Sequence, residues 1–302
     1  MEVIKIENLT KDYGHGRGIY DVSFTVKKGE VMGFLGPNGA GKSTTMRHLM
    51  GFSNPQKGFA TIDGLDCWKQ HSQLMKNVGY LPGEVALPDG LNGKEFLKMM
   101  QDLRKCRNQP LVEQLLKLFD LNLNGDVRKM SIGEKRKLAV VAAFMNDPEI
   151  LLLDEPTSGL DPTMQEVFIE FILKQKERGK TILLSSHIFN EVEALCDRIA
   201  IIKEGKIVTI LSAESIKKNK RKTFELTFND DLAYSAFQKE SLECKAIESK
   251  QQTLAVYLKP GQTNEFIRIV SKYPLKKLIE HPWTLEEYFM HFYKSDRKFG
   301  GI

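Results

Sequence analysis

An octapeptide near the amino terminus has the residue types and spacing of a loop that binds phosphate. It is Gly36-Pro37-Asn38-Gly39-Ala40-Gly41-Lys42-Ser43, and Thr44 follows it. Such glycines let backbone N–H groups converge on phosphate oxygens, and the amino terminus of the next helix attracts the same anion. We expect Lys42 to contact the β- and γ-phosphates, Ser43 to bind Mg²⁺ and Thr44 to bind an α-phosphate oxygen. The alternative is a plain glycine-rich turn, which leaves unexplained that every fixed position of the motif is filled.

Two carboxylates follow an apolar segment that is typical of a buried strand. Ile150–Leu153 is apolar throughout and leads into Asp154 and Glu155. At the carboxyl end of a parallel strand, Asp154 could reach a Mg²⁺ ion beside Ser43, and Glu155 could orient a water molecule towards the γ-phosphate. A strand that simply leads into a charged loop is the alternative. Because a phosphate loop is present in the same chain, we favour the catalytic interpretation.

Apolar segments that alternate with helical patterns predict the elements that position these residues. Val31–Leu35 has the pattern of a buried strand and leads into the phosphate loop, and a helix is predicted from about Lys42 to Met50. Strands alternating with helices predict an α/β fold with a largely parallel sheet. Further strands are predicted at 78–81, 150–153, 181–185 and near 199–209, and helices at 93–125, 133–145, 163–178 and 190–196.

The last third of the sequence has a different character. Apolar residues alternate along 224–228 and 254–258, which predicts strands, and 264–273 has helical spacing. Thr284-Leu285-Glu286-Glu287 has the form of a capping box that begins a last helix through Tyr293. This part is therefore predicted to be a small α+β domain. The predicted domains are a nucleotide-binding domain over 1–215, with a helical subdomain at about 84–145, and an accessory domain over 216–302.

A cluster of positive charge joins the two predicted domains. Five cations occur among the six residues Lys217–Lys222. Such a run is commonly a solvated linker, and the alternative is contact with anionic lipid headgroups at about 1 kcal/mol per cation near the surface. The formal net charge of the whole chain is only +5. That value permits an anionic partner but gives no reason to expect nucleic acid.

The composition excludes several classes of protein. Hydrophobic residues make up 41% and charged residues 27% of the 302, which excludes collagen-like and wholly disordered chains. No apolar segment approaches the ~18 residues of a membrane span. The amino terminus lacks the basic and apolar regions of a signal peptide. The cysteines are far apart and have no histidine at zinc-ligand spacing, so we expect reduced thiols that pack in the interior: Cys67, Cys106, Cys196 and Cys244.

The order of these motifs resembles the nucleotide-binding subunits of ATP-binding cassette (ABC) transporters. Met130-Ser131-Ile132-Gly133-Glu134 is similar to the family signature LSGGQ at Ser131 and Gly133 and approximately at Glu134, whereas Ile132 departs from it. Ser158-Gly159-Leu160-Asp161 is similar to the family's D-loop. The resemblance covers residues 1 to about 215. It further identifies His187, after Ser185-Ser186, with the switch histidine, and Tyr13 with the aromatic residue that stacks on adenine.

One position departs from the family in a way that concerns the metal. The family has a glutamine that senses Mg²⁺, and the alignment places it at Gly83, whose side chain cannot bind a metal. Glu84 is adjacent. Either Glu84 or a water molecule is expected to take this position in the metal's coordination shell.

The resemblance implies an ABC ATPase with a P-loop NTPase core, ATP as substrate and Mg²⁺ as cofactor. Two nucleotide-binding subunits, identical or homologous, are expected to form a head-to-tail dimer. Ser131, Gly133 and Glu134 would then contact ATP held by the other subunit, and Asp161 would also bind nucleotide. Glu155, His187 and Lys42 are the predicted catalytic residues.

The resemblance also implies where the protein works. A separate membrane permease is the expected partner, which places the chain at the cytoplasmic face of the membrane. Thr284–Phe289 resembles the ending of ATPases of the ABC-2 export group, which favours an exporter, and no cargo is predicted. The alternative is a soluble ABC-type ATPase, for example of the iron–sulfur assembly type.

Overall fold

The structure is a computed structural model that describes residues 1–105, 108–218, 222–247, 251–259, 261–281, 285 and 289. The chain divides into two units, Met1–Ala213 and Glu214–Ile302. This division falls two residues before the boundary expected from the sequence. The predicted helix after Thr284 lies outside the described residues apart from Leu285 and Phe289, and so do Cys106, Lys220 and Arg221.

The first unit is built around two β-sheets with helices between and beside them. Its strands are β1 (Glu2–Asp12), β2 (Gly18–Lys27), β3 (Val31–Leu35), β4 (Lys57–Ile62), β5 (Leu65–Asp66), β6 (Val78–Leu81), β7 (Ile150–Asp154), β8 (Thr181–Ser186), β9 (Arg198–Lys203) and β10 (Lys206–Ser212). Its helices are α1 (Lys42–Leu49), α2 (His71–Leu74), α3 (Gly93–Arg104), α4 (Gln109–Leu118), α5 (Ile132–Phe144), α6 (Pro162–Glu177) and α7 (Phe189–Leu195).

The larger sheet has the strand order β10-β9-β3-β8-β7-β6. Every pair from β9 to β6 is parallel, and β10 joins β9 antiparallel. All residues of β3, β7 and β8 are buried, as expected for parallel strands covered on both faces. The predicted α/β fold with a largely parallel sheet is confirmed. Because the strands are parallel, their carboxyl ends meet at one edge, where ligand sites of such sheets lie.

The smaller sheet, β2-β1-β4-β5, is antiparallel and packs on the larger one. Apolar side chains of both sheets and of α1 share one core, in which the rings of Phe24 and Phe34 lie 5.3 Å apart. Met46 and Leu49 of α1 are buried in the same core. This packing fixes α1, and with it the phosphate loop that precedes α1.

The predicted helical segment 93–125 is divided into α3 and α4. α3 ends where Lys105 adopts a left-handed conformation with φ 54°. Asn108 then accepts a hydrogen bond from the Leu111 N–H at 3.3 Å, and Pro110 lies in the first turn of α4. An asparagine cap followed by proline begins a new helix, because proline has no N–H to donate.

The second unit is an α+β domain with the element order βαββαβ of a ferredoxin-like fold. Its antiparallel sheet has the order β12-β13-β11-β14. Phe224 stacks on Phe266 at 4.4 Å, and Phe228 packs on Phe237 at 5.2 Å, so both helices contribute to its core. The elements are α8 (Ala213–Lys218) at the boundary, then β11 (Lys222–Phe228), α9 (Asp231–Phe237), β12 (Glu243–Ala246), β13 (Thr253–Leu258), α10 (Thr263–Val270) and β14 (Leu275–His281).

In the part of the chain that the structure describes, no helix has both the length and the apolar character needed to cross a lipid bilayer.

Candidate active site

Four segments meet at the carboxyl edge of the parallel sheet. They follow β3, β6, β7 and β8, and together they line a cleft of about 650 Å³. All of the predicted catalytic and metal-binding residues therefore lie in one place, although they are distant in sequence. The lining residues are Asn38, Gly39, Gly41, Lys42, Ser43, Thr44, Arg47, Tyr80, Pro82, Gly83, Glu84, Ala86, Asp154, Glu155, Ser158 and His187.

The side chain of Lys42 lies across the phosphate loop that precedes it. Gly41 precedes α1 with φ 108°, a conformation that side chains disfavour, and a Cβ there would lie 2.6 Å from the Cγ2 atom of Ile19. Lys42 is 5% exposed, and its ammonium donates to the carbonyls of Gly36 at 2.6 Å and Pro37 at 3.1 Å. Its third contact is an ion pair with Glu155 at 3.0 Å. A buried ammonium needs such partners to offset its desolvation.

The chain turns sharply at Glu155, directly after β7. This residue has φ 50°, a left-handed conformation that is uncommon for a side chain of its size. Its N–H donates to the carbonyl and to the hydroxyl of Ser185, both at 3.1 Å. The turn places its carboxylate between Lys42 and Nδ1 of His187, the latter at 2.5 Å. Backbone strain of this kind concentrates at functional sites.

Asp154 is the buried acid of the cleft. It is 2% exposed and accepts a hydrogen bond from the Ser185 hydroxyl. The backbone of Gly83 passes so close that a Cβ there would lie 2.9 Å from Oδ2 of Asp154. Because Gly83 has no side chain, its backbone can lie directly against the Asp154 carboxylate. With any larger residue at position 83, the loop or the carboxylate would have to move. Glu84 lines the same cleft one residue later.

The donor set fits Mg²⁺ as a cofactor that also takes substrate oxygens as ligands. Among the described residues, no group of three or more His, Cys, Asp or Glu side chains could hold a metal on its own. Mg²⁺ is commonly bound through one or two carboxylates together with phosphate oxygens and water. Asp154 and the Ser43 hydroxyl provide that kind of incomplete set within one cleft.

A buried carboxyl group beside the cleft was not singled out in the sequence. Glu191 of α7 is 3% exposed and accepts a hydrogen bond from the Ser186 hydroxyl at 2.6 Å. Burial raises the pKa of Glu191 to about 7, and the negative charge of Glu155 acts in the same direction, whereas the bond from Ser186 opposes them. This group connects α7 to the strand end that carries His187.

Glu191 makes the stability of the protein depend on pH. Its pKa is raised from 4.5 to about 7 on folding, so the native state holds a proton that the unfolded state has released. The free energy of unfolding therefore falls as pH rises from about 5 to 8, by about 3 kcal/mol at most from this group. We expect Glu191→Gln to be more stable than the wild type at pH 8 and to lose this advantage at pH 5.

Urea unfolding of both proteins at the two pH values measures this difference. Glu193→Gln changes one carboxylate of the same helix and is the matched control. An equal stability difference between Glu191→Gln and the wild type at pH 5 and pH 8 would contradict the assignment.

Two further residues of the cleft, Arg47 and Tyr80, were not singled out in the sequence. Ser158 of the D-loop-like segment also lines the cleft, and Ser185 contacts both acids. Burial raises the pKa of Tyr80 to about 12. The one signal in the sequence for the contacts of Ser185 with Asp154 and Glu155 is its position at the end of a predicted strand.

Comparisons with known proteins agree with this site. The family profile described as "ABC transporter" matches residues 19–158. The chain is 39% identical over 211 residues to "ABC transporter ATP-binding protein NatA" of Bacillus subtilis (strain 168), across 68% of this chain and 86% of NatA. It is 31% identical over 294 residues to "Bacitracin transport ATP-binding protein BcrA" of Bacillus licheniformis, across 95% of this chain and 96% of BcrA.

A solved structure is similar as well. The dimeric post-hydrolysis state of the ATP-binding cassette MJ0796 bound to ADP and Pi has a TM-score of 0.60 and 25% identity, across 70% of this chain and 98% of that one. The chain belongs to the ABC transporter family. It is an ATP-binding subunit with ATPase activity, as the resemblance implied. The soluble ABC-type ATPase is not favoured by these relatives.

In this ABC subunit the signature-like segment lies outside the cleft. Ser131 caps α5 by accepting a hydrogen bond from the Glu134 N–H at 3.2 Å, and the Glu134 carboxylate accepts one from the Ser131 N–H at 2.8 Å. The bond from the Ser131 N–H to the carboxylate lowers the pKa of Glu134. The capping box explains why glutamate suits this position, and it leaves the start of α5 exposed at Ser131 and Glu134, with Gly133 half-buried.

Two more predicted residues of the ABC subunit also lie away from the cleft lining. Asp161 caps α6 by accepting a hydrogen bond from the Met164 N–H at 3.0 Å. Tyr13 is 53% exposed, and its hydroxyl lies 3.4 Å from that of Ser53. Contacts of Tyr13, Ser131, Gly133, Glu134 and Asp161 with nucleotide remain predictions.

Proposed function

We propose that this ABC subunit hydrolyses ATP in a head-to-tail pair with a second nucleotide-binding subunit and thereby drives export through a separate membrane permease. The observation that carries this proposal is the contact of Glu155 with both Lys42 and His187 at the phosphate loop. That arrangement joins a phosphate-binding cation to a carboxylate that can accept a proton.

Different residues of the cleft would bind phosphate, activate water and hold the metal. The loop 36–41 and the start of α1 would bind phosphate oxygens through N–H groups, and Lys42 would bind the β- and γ-phosphates. Glu155 would act as general base on the attacking water, held in position by His187. Ser43 and Asp154, with Glu84 nearby, would hold Mg²⁺, which supplies positive charge that neutralises the transferred phosphoryl group.

The start of α5 supplies the second half of the site in another subunit. Ser131 and Gly133 do not line the cleft of their own chain, and Ser131 is exposed. A capped helix amino terminus is a favourable site for an anion. We therefore assign Ser131, Gly133 and Glu134 to the γ-phosphate side of the nucleotide bound by the partner, Asp161 to the same seam, and Tyr13 to the adenine ring. The dimeric MJ0796 structure supports such a pairing.

Export is supported by the extent of one similarity. The alignment with the bacitracin transport protein BcrA covers 95% of this chain, whereas the alignment with NatA covers 68%. BcrA therefore resembles the second unit as well as the first. We propose a permease partner of the export type and a location at the cytoplasmic face of the membrane.

Purification of the tagged chain from membranes of its own host tests this proposal. We expect a permease with several membrane spans to co-purify in mild detergent, and its ATPase rate to exceed that of the free chain. Glu155→Gln should retain the permease but lose the activity. A chain that fractionates entirely away from membranes, with no membrane protein attached, would refute the transport function.

We also propose that the cations of α8 and β11 contact anionic headgroups. Lys217, Lys218 and Lys222 belong to one short stretch, and each cation near an anionic surface contributes about 1 kcal/mol. Replacing all three with glutamine should reduce flotation of the chain with phosphatidylglycerol vesicles and leave phosphatidylcholine vesicles unaffected. Unchanged flotation would show that the run is a solvated linker.

A further inference from the structure

Arg136 joins three segments of the first unit through one side chain. It lies on α5 and is 4% exposed. Nη1 donates to the carbonyl of Pro82 at 2.7 Å, Nη2 donates to the carbonyl of Gly83, and Nε donates to the carbonyl of Ser158 at 2.9 Å. All three acceptors are backbone carbonyls. The guanidinium therefore fixes the course of two loops relative to one helix.

Each of these segments carries a part of the proposed site. Gly83 lies directly against Asp154, and Ser158 lies in the turn that begins at Glu155. The helix that carries Arg136 begins at the Ser131 cap, little more than one turn upstream. Because the helix is rigid over that distance, the position of its amino terminus follows the position of Arg136.

The chemistry of the Arg136 side chain indicates that it holds these segments at fixed positions, and does not serve only to balance the charge of nearby carboxylates. A guanidinium is planar and presents its N–H groups in a fixed fork, whereas an ammonium is a single point of charge on a flexible stem. Burial lowers the pKa of Arg136, and the charges of Asp154 and Glu155 oppose this effect. An arginine side chain stays charged in proteins, so a cation lies near the two acids while its N–H groups fix the positions of three backbone carbonyls.

We propose that Arg136 is a positioning residue that holds the start of α5 at a fixed distance from the loops beside Asp154 in its own cleft. In the dimer, each subunit would then offer its cleft to one nucleotide and the start of its α5 to the other nucleotide in the correct relative positions. The inference rests on the proposed head-to-tail dimer. Arg136 touches neither nucleotide nor metal in this scheme. Its loss should therefore weaken assembly of the dimer with ATP much more than binding of ATP by one subunit.

ATP-driven dimerisation in the Glu155→Gln background measures this difference. Light scattering with size exclusion gives the protein concentration at which half the chains are dimeric, and equilibrium binding at low protein concentration gives ATP affinity. Adding Arg136→Met or Arg136→Lys should raise that concentration at least about tenfold and change ATP affinity less than about threefold. Lysine should fail because its single nitrogen cannot span three carbonyls on two loops.

Lys180→Met is the matched control for removing a buried cation. Lys180 is 1% exposed and bonds to Asp147 and to the Pro148 carbonyl, so it belongs to none of the three segments. In the Glu155→Gln background this variant should dimerise as readily as the background protein. Arg136→Lys keeps the buried charge and decides the question if Arg136→Met does not fold.

Two outcomes would overturn the inference. Dimerisation of Arg136→Lys at the concentration of the background protein would show that charge alone is sufficient. A parallel loss of ATP binding and dimerisation would show that Arg136 serves the integrity of the cleft. Failure of Glu155→Gln itself to dimerise with ATP would instead count against the proposed function.

Discussion

Replacing Glu155 with glutamine is expected to slow ATP hydrolysis by at least about 100-fold while ATP remains bound. A positioned general base contributes roughly 10²–10⁴ in rate, and glutamine keeps the shape of the side chain but cannot accept a proton. Glutamine can still meet Lys42 through its amide oxygen, so the phosphate loop keeps its geometry. Phosphate release at saturating ATP measures the rate, and equilibrium binding measures the affinity.

The same variant should accumulate as an ATP-bound dimer, because hydrolysis is the step that removes the bridging γ-phosphate. Glu166→Gln is the matched control, since Glu166 is an exposed carboxylate of α6 in the same unit. It should turn over ATP at the wild-type rate. Wild-type turnover by Glu155→Gln would assign the base to another residue.

The parallel sheet was predictable because its central strands are apolar at nearly every position. β3 and β7 are buried along their whole length, and each is followed directly by residues with chemical function. Carboxyl ends of parallel strands meet at one edge, so the meeting of Lys42, Asp154 and Glu155 in one cleft follows from sequence order and topology.

The geometry within the cleft was not predictable, because it depends on contacts between distant segments. The left-handed turn at Glu155 is held by Ser185, and the approach of Gly83 to Asp154 depends on how two loops pack. The sequence shows that Gly83 lacks a side chain but not that this permits close contact.

Arg136 illustrates the same limit for a single side chain. It lies between Lys135 and Lys137, and a run of three cations predicts side chains that are exposed to solvent. Only packing of α5 against the loops at Pro82 and Ser158 shows that this cation alone of the three is buried. A buried charge in a basic run gives no periodic signal, since its partners are carbonyl groups that every residue carries.

Replacing Lys42 with alanine is expected to weaken ATP binding by about 10- to 100-fold. A hydrogen bond to a charged group contributes about 1.5–3 kcal/mol, and each 1.4 kcal/mol is a factor of ten in affinity. The Lys42 ammonium already lies beside carbonyls of the phosphate loop at the cleft, so it can bind phosphate oxygens without a large movement of the side chain. Alanine removes this charge, and it leaves the Glu155 carboxylate to repel the γ-phosphate with less compensation.

Thermal unfolding with and without ATP provides a measurement independent of hydrolysis. At ATP concentrations of about 100 Kd, binding stabilises the wild type by about 2.7 kcal/mol, whereas a variant with a 100-fold higher Kd gains only about 0.4 kcal/mol. Lys98→Ala changes a lysine of α3 outside the cleft and should retain the wild-type shift. An ATP-dependent shift of wild-type size in Lys42→Ala, when the nucleotide-free protein is folded, would remove Lys42 from phosphate binding and with it the reason for placing ATP at this loop.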